Sequence, residues 1–243
     1  MKALIFKLKG KYAHFKKVYS NSSSLSYYVP PRTTVEGIIA AMLGLPRDSY
    51  YEKLHSSNVK IAMVNESYIR KITQTLNYIK VTSNKHFHNP KSHTQIPFEV
   101  LTDADDNELS FKIIVYFADE NIHNELQKRM TTNKFVYPIS LGTAFFSCHL
   151  EFLGIGDLEN KTSNNYIKTS CVVPTSEIKK INVLAMNGQE IVKETMPRDF
   201  KKKRKIDKLQ KYIVLKRFGK LEIKTTNYYE LKYKNNKEHI LFM

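Results

Sequence analysis

Tyr19-Ser-Asn-Ser-Ser-Ser-Leu-Ser-Tyr-Tyr-Val-Pro-Pro-Arg-Thr-Thr-Val-Glu-Gly-Ile-Ile-Ala-Ala-Met-Leu-Gly-Leu45 puts a helix directly behind a proline corner. Pro30 and Pro31 hold the chain extended and keep the residues before them out of helical conformation. Thr33 and Glu36 fit a capping box, in which hydroxyl and carboxylate satisfy reciprocal backbone donors. Val35, Ile38, Ile39, Met42 and Leu43 then recur at helical spacing and form one apolar stripe. Gly44 suits a left-handed C-terminal cap, and Pro46 prevents continuation. Gly37, Ala40 and Ala41 leave the other faces small enough for close approach. The pattern also describes an ordinary buried helix. The start of the helix carries the sharper expectation: open N–H groups, the helix dipole and the Arg32 fork together favour a phosphate.

Working outward, Lys2 to Lys9 alternates around Leu4, Phe6 and Leu8 and predicts a strand. Val59–Val64 and Leu109–Phe117 predict two more. Asp119 or Asn121 caps a second helix with Ile122, Leu126 and Met130 on one face. Phe145–Leu153 predicts a fourth strand. The order βαββαβ describes an α+β, ferredoxin-like domain of the RRM type over residues 1–157. Fold alone does not license function. Between the second and third strands, Tyr68 to Pro97 is a long polar excursion rich in Lys and His, and such insertions are functional or simply solvated. Lys161–Asn165 reads as a linker. Thr169–Val173, Ile181–Met186 and Tyr212–Lys224 read as short strands of a basic, β-rich appendage over residues 158–243.

The 243 residues carry 39 Lys and Arg against 23 Asp and Glu, a net charge of +16. That excess attracts nucleic acid or an anionic membrane. No apolar run is long enough to cross a bilayer, and Lys2, Lys7 and Lys9 interrupt any secretory signal, so a membrane partner is not expected. Cys148 and Cys171 form no Cys-x-x-Cys pair and read as reduced, buried thiols of a cytosolic protein. No nucleotide-binding glycine loop and no zinc-ligand set is present, so neither cofactor nor metal is expected. Glu99 to Glu125 holds eight acids and one lysine, a face for solvent or for a basic neighbour.

The candidate site gathers around the corner. Ser22, Ser23 and Ser24 offer hydroxyls, Arg32 offers charge, and Thr33 and Thr34 offer backbone donors to phosphate. Tyr27 and Tyr28 are candidates to stack on splayed bases, although neighbours on an extended chain face opposite ways and one of them is equally a core residue. Tyr12, His14, Phe15, Lys16 and Lys17 follow the first strand and line the same surface. Gly142 permits close approach of an RNA backbone, or simply a turn. Lys85, Lys91 and His93 reach out on the excursion. Lys201, Lys202, Lys203 and Arg204 form the densest positive run, which is also readable as a solvated charge cluster.

The run from His14 to Leu45 resembles the N-terminal signature of the CRISPR-associated Cas-five family, within the RAMP superfamily. Thr94-Gln-Ile-Pro-Phe-Glu-Val-Leu-Thr-Asp103, Tyr137-Pro-Ile-Ser-Leu-Gly142 and Glu194-Thr-Met-Pro-Arg-Asp-Phe200 continue the resemblance in the family's order. It is most like the type I-B branch. The resemblance implies a ferredoxin-like fold with a thumb-like hairpin at about 68–97. It implies a non-catalytic subunit of a type I Cascade surveillance complex that holds the 5′ handle of the guide RNA in antiviral defence. The partners it implies are the guide RNA, the Cascade backbone subunit and the large subunit, with target DNA met through the complex. The type I-C branch instead cuts precursor guide RNA without metal, and that alternative needs Lys91 and His93 with Tyr27 or Tyr28 as acid, base and cation. A free-standing RNA- or DNA-binding domain is the third reading.

Overall fold

The computed structural model describes residues 1–89, 92–186 and 188–243. In chain order the elements are β1 (Lys2–Gly10), α1 (Arg32–Leu43), β2 (Val59–Asn65), β3 (Ile69–Ile79), α2 (Asn84–His88), β4 (His93–Asp103), β5 (Leu109–Phe117) and α3 (Glu120–Thr132). There follow β6 (His149–Thr162), β7 (Tyr166–Thr169), β8 (Val173–Pro174), β9 (Lys180–Ile181), β10 (Ile191–Lys201), β11 (Lys205–Leu215), β12 (Leu221–Lys224), β13 (Asn227–Tyr233) and β14 (Asn236–Ile240). Among the described residues the main sheet has nine strands in the order β2-β5-β1-β6-β13-β14-β7-β12-β9. The fold is mixed α/β.

The alternation of β1 decides where the core sits. Leu4, Phe6 and Leu8 face α1 and α3, joining Val35, Ile38, Ile39, Met42, Leu126 and Met130. Ala3 and Ile5 point the other way, onto Leu158, Cys171, Leu231 and Ile240. A strand buried on both faces cannot slip by one residue without exchanging its two sets of side chains. Each fully buried aliphatic on α1 stabilises the fold by about 1.5–3 kcal/mol, so the predicted stripe is what docks this helix.

The ends of the helices separate correct from incorrect expectations. Gly44 closes α1 in the left-handed region at φ 74°, and its N–H donates to Ala41 O. Asp119 caps α3, its carboxylate accepting from the Asn121 N–H. The capping box at Thr33 and Glu36 does not form, because α1 starts after Pro31 with no side-chain cap. Pro31 O instead accepts from the N–H groups of Thr34, at 2.8 Å, and Val35, at 3.2 Å. Glu36 is drawn inward to pair with Arg32.

The excursion is a long antiparallel hairpin, β3 against β4, paired from Ile69↔Asp103 to Ile79↔His93. The fourth core strand starts at His149 rather than Phe145 and runs on to Thr162. Phe145 lies instead in a loop that a Ser140↔Ser147 bridge closes. β6 carries the sheet through the expected division at 157/158, and β13 pairs with its second half, Asp157–Thr162. The predicted linker at 161–165 is therefore partly strand. The predicted run Thr169–Val173 breaks between β7 and β8, and Val183–Met186 is a 3-10 turn. Tyr212–Lys224 is divided between β11 and β12. β10 and β11 form a second long hairpin outside the main sheet, with β8 on its edge.

Candidate nucleic-acid interface

The serine-rich loop folds back on itself and is pinned by three carboxylates that arrive from far along the chain. Lys16 bridges Ser26, and Ser24 bridges Phe98 on β4. Glu99 Oε2 accepts from the Ser26 N–H at 2.7 Å and from Lys71 Nζ at 3.0 Å. Glu194 Oε2 accepts from the Tyr28 N–H at 3.2 Å, and its Oε1 lies 2.9 Å from Lys17 Nζ. Asp199 Oδ1 accepts from Arg32 Nη1 at 3.0 Å and from the Ser56 N–H at 2.9 Å. Its Oδ2 accepts from the Ser56 hydroxyl at 2.8 Å. Burial pushes the Asp199 carboxyl up, but the Ser56 hydroxyl, the Arg32 charge and the Ser56 N–H together hold it below the usual carboxylate range. The segments Thr94–Asp103 and Glu194–Phe200 thus act as clamps on the corner.

This clamping corrects the role expected of Arg32. Its side chain is 0% exposed. Nη2 donates to Leu54 O at 2.9 Å and Val59 O at 2.6 Å, and Nη1 reaches both Glu36 and Asp199. Every direction of the guanidinium fork faces protein, so no phosphate reaches it. His14, expected on the RNA face, is also internal. Its ring stacks on Phe98 at 4.0 Å, Nδ1 is 2.7 Å from Glu99 O, and Nε2 is 3.0 Å from the Ser24 hydroxyl. Ser24 and Tyr27 are buried, and burial pushes the Tyr27 hydroxyl up to about 12. Lys17 is committed to Glu194.

What the corner leaves open is a groove of about 350 Å³ across the first turns of α1. Thr33, Thr34 and Gly37 form its floor, Tyr50 and Tyr51 one wall, and Lys16 and Arg204 supply its charge. Gly142 lines it at φ 96°, and a Cβ there would sit 1.8 Å from His14 O. This glycine therefore lets its loop pack against the backbone of the segment that follows β1. Arg204 is held at the groove by Asp48, Nε donating to Oδ1 at 3.0 Å, and Tyr51 donates to the same oxygen at 2.5 Å. Lys203 and Arg204 turn the tip of the β10–β11 hairpin with φ of 60° and 56°. Left-handed conformation in non-glycine residues costs of order 1–3 kcal/mol each.

The other predicted residues scatter. Lys16 and Ser22 are exposed, Ser23 and Thr34 are half-buried, and Thr33 is buried. Tyr28 is half-buried beneath Lys71 Nζ, 4.2 Å from the ring centre. Lys201 pairs with Asp207 at 2.6 Å, and Lys202 lies 3.7 Å from Glu52. Lys203 makes no ion pair among the described residues. Tyr12 is exposed, with its ring 6.0 Å from Phe146. Lys85 and His93 are exposed on the β3–β4 hairpin, and Lys91 lies outside the described residues. His93 opposes Ile79, whereas Lys71, beside Tyr28, opposes Leu101. Eight residues of strand separate them by about 26 Å, so His93 and Tyr28 do not share one reaction centre.

Sequence reasoning missed Tyr50, Tyr51 and Asp48, which no motif marks. It also placed Phe145 in a strand, whereas the ring is 66% exposed beside Phe146. Among the described residues no cluster of His, Cys, Asp and Glu could hold a metal ion. Among them, too, no helix is long and apolar enough to cross a membrane.

Residues 3–116 match the family described as CRISPR-associated protein (Cas_Cas5). No curated protein matches the chain in sequence. A CRISPR protein from Archaeoglobus fulgidus has a similar fold, with a TM-score of 0.57 at 12% identity over 100% of both chains. A chain of a CRISPR RNA-guided surveillance complex is similar at a TM-score of 0.54 and 10% identity, over 91% of each chain. The N-terminal part of this chain therefore carries the sequence pattern of the CRISPR-associated Cas5 family, and the chain as a whole has the mixed α/β fold of these CRISPR proteins.

Proposed function

We propose that the chain is a Cas5-type, non-catalytic subunit of a type I CRISPR Cascade complex, of the I-B branch, that caps the 5′ handle of the guide RNA. The observation that carries this reading is the groove at the proline corner, where Lys16 and Arg204 flank the half-buried Thr34 and Tyr50. A phosphate backbone needs cations and neutral donors, and unpaired bases need aromatic faces. The family match over residues 3–116 and the fold shared with a surveillance-complex chain support the assignment to an effector complex. The order β2-β5-β1-β6 supports reading residues 1–157 as a ferredoxin-like RAMP domain. The β3–β4 hairpin supports reading about 68–97 as its thumb, and residues 158–243 form the basic appendage. The backbone and large subunits, and target DNA through the complex, are the partners in this reading, in the cytoplasm.

The endoribonuclease reading receives less support, because the hairpin carries His93 away from Tyr28. Co-expression with the other Cascade subunits and a repeat RNA tests the proposal. A discrete guide RNA should co-purify, and repeat RNA incubated with the protein in chelator should stay intact. Specific cleavage lost in His93→Ala would favour the nuclease. Failure to co-purify with any subunit while still binding RNA would favour a free-standing domain.

A further inference from the structure

Pro197 and Phe200 of β10 line the corner groove, but Arg198 between them lines a separate cavity of about 220 Å³. Lys60 of β2, Tyr229 of β13 and Phe242 of the C-terminal tail converge there. Lys60 Nζ donates to the Tyr229 hydroxyl at 2.8 Å and lies 5.0 Å and 5.8 Å from the rings of Tyr229 and Phe242. Among the described residues Lys60 has no carboxylate partner, and Arg198 Nε is buried with no hydrogen-bond acceptor. Among the described residues Arg198 has one acid partner, Asp199, which it shares with Arg32. Asp199 Oδ2 is 3.8 Å from Arg198 Nε, and its oxygens already accept from Arg32 and Ser56. Glu177 is exposed on the rim. Ser56 and Asn227 add neutral polar groups to the lining.

The geometry points to a phosphate-binding site in this cavity, held by Arg198 and Lys60. A guanidinium fork and an ammonium are the paired chemistry that phosphate oxygens take. The volume lies below the roughly 300 Å³ where whole small-molecule ligands begin, so the occupant is a small anion: free phosphate or the terminal monoester of a nucleotide chain. This site stands apart from the corner groove and does not depend on its function.

Calorimetric titration of the full chain with inorganic phosphate, with acetate as the control anion, tests it. Phosphate should saturate one site and acetate should not bind. Arg198→Met and Lys60→Met should each weaken phosphate about tenfold or more, the loss expected for one charge-assisted hydrogen bond. Arg198→Lys should recover most of that loss. Thermal melting of each variant checks that it folds, and Lys60→Met, at a half-buried position, keeps the test valid if Arg198→Met does not. Competition by a tetraribonucleotide with a 5′ phosphate, but not with a 5′ hydroxyl, assigns the site to a nucleic-acid end. Competition by neither assigns it to free phosphate, and equal competition by both overturns the monoester assignment. No saturable phosphate binding, or unchanged affinity in both Met variants, overturns the site itself.

Discussion

Replacing Arg32 by methionine keeps most of the side-chain volume and removes the charge. Both carboxylates that face it, Glu36 and Asp199, are buried, at 1% and 2% exposure. Two carbonyls, Leu54 O and Val59 O, lose their donor as well. Breaking a buried ion pair by deleting one partner costs about 3–5 kcal/mol, because the remaining charge stays desolvated. For a chain of this size each kcal/mol moves the melting temperature by about 2–4 °C, so Arg32→Met should lower it by roughly 6–20 °C. Thermal unfolding followed by circular dichroism reads this directly. At a temperature where the variant is folded, the salt dependence of its RNA binding should match that of the parent. A melting temperature within 2–3 °C of the parent, combined with a shallower salt slope, would refute the structural role and restore Arg32 as a phosphate ligand.

Further expectations concern the same clamp. His14 is held neutral chiefly by burial, which lowers its affinity for protons below that of the unfolded chain. The unfolded state then binds more protons, so stability should be complete above pH about 6.5 and fall as the pH drops below it. His14→Leu should remove that acid limb and cost about 1–3 kcal/mol, since the Glu99 carbonyl and Ser24 hydroxyl lose their partner. A denaturant midpoint measured from pH 5 to pH 8 checks both effects. Asp199 titrates below the ordinary carboxylate range, so its share of stability is present above that range and is lost only as the pH falls through its lowered value. Acid unfolding of the parent, shifted to higher pH in Ser56→Ala, would show it. Gly142→Ala should destabilise by about 1–3 kcal/mol or more, because an added Cβ meets His14 O in a left-handed backbone.

The sequence pattern marked the parts of the fold whose signal is local. The stripe from Val35 to Met42, the Gly44 cap, the Asp119 cap and the bounds of β5 follow from spacing and residue type alone. The start of α1 was misread because a capping box and a buried ion pair use the same Glu36. Choosing between them requires knowing that Asp199 arrives 167 residues later. The same limit governed the site. Arg32 has the chemistry of a phosphate ligand, and only tertiary burial removes it from solvent. Arg204 belongs to the groove because the β10–β11 hairpin brings it to Asp48, a long-range contact that no local pattern encodes. The basic run at Lys201–Lys205 lies at the tip of the β10–β11 hairpin, where Lys201 and Lys202 face carboxylates.

We propose that guide RNA lies in the groove between Lys16 and Arg204. The direct measurement is the slope of handle-RNA affinity against salt for the parent and for Lys16→Ala combined with Arg204→Ala. Each lost phosphate contact on a single strand should reduce the slope by about 0.7, so the double variant should lose about 1.4. An unchanged slope with unchanged affinity in a folded double variant would place the RNA elsewhere on the protein.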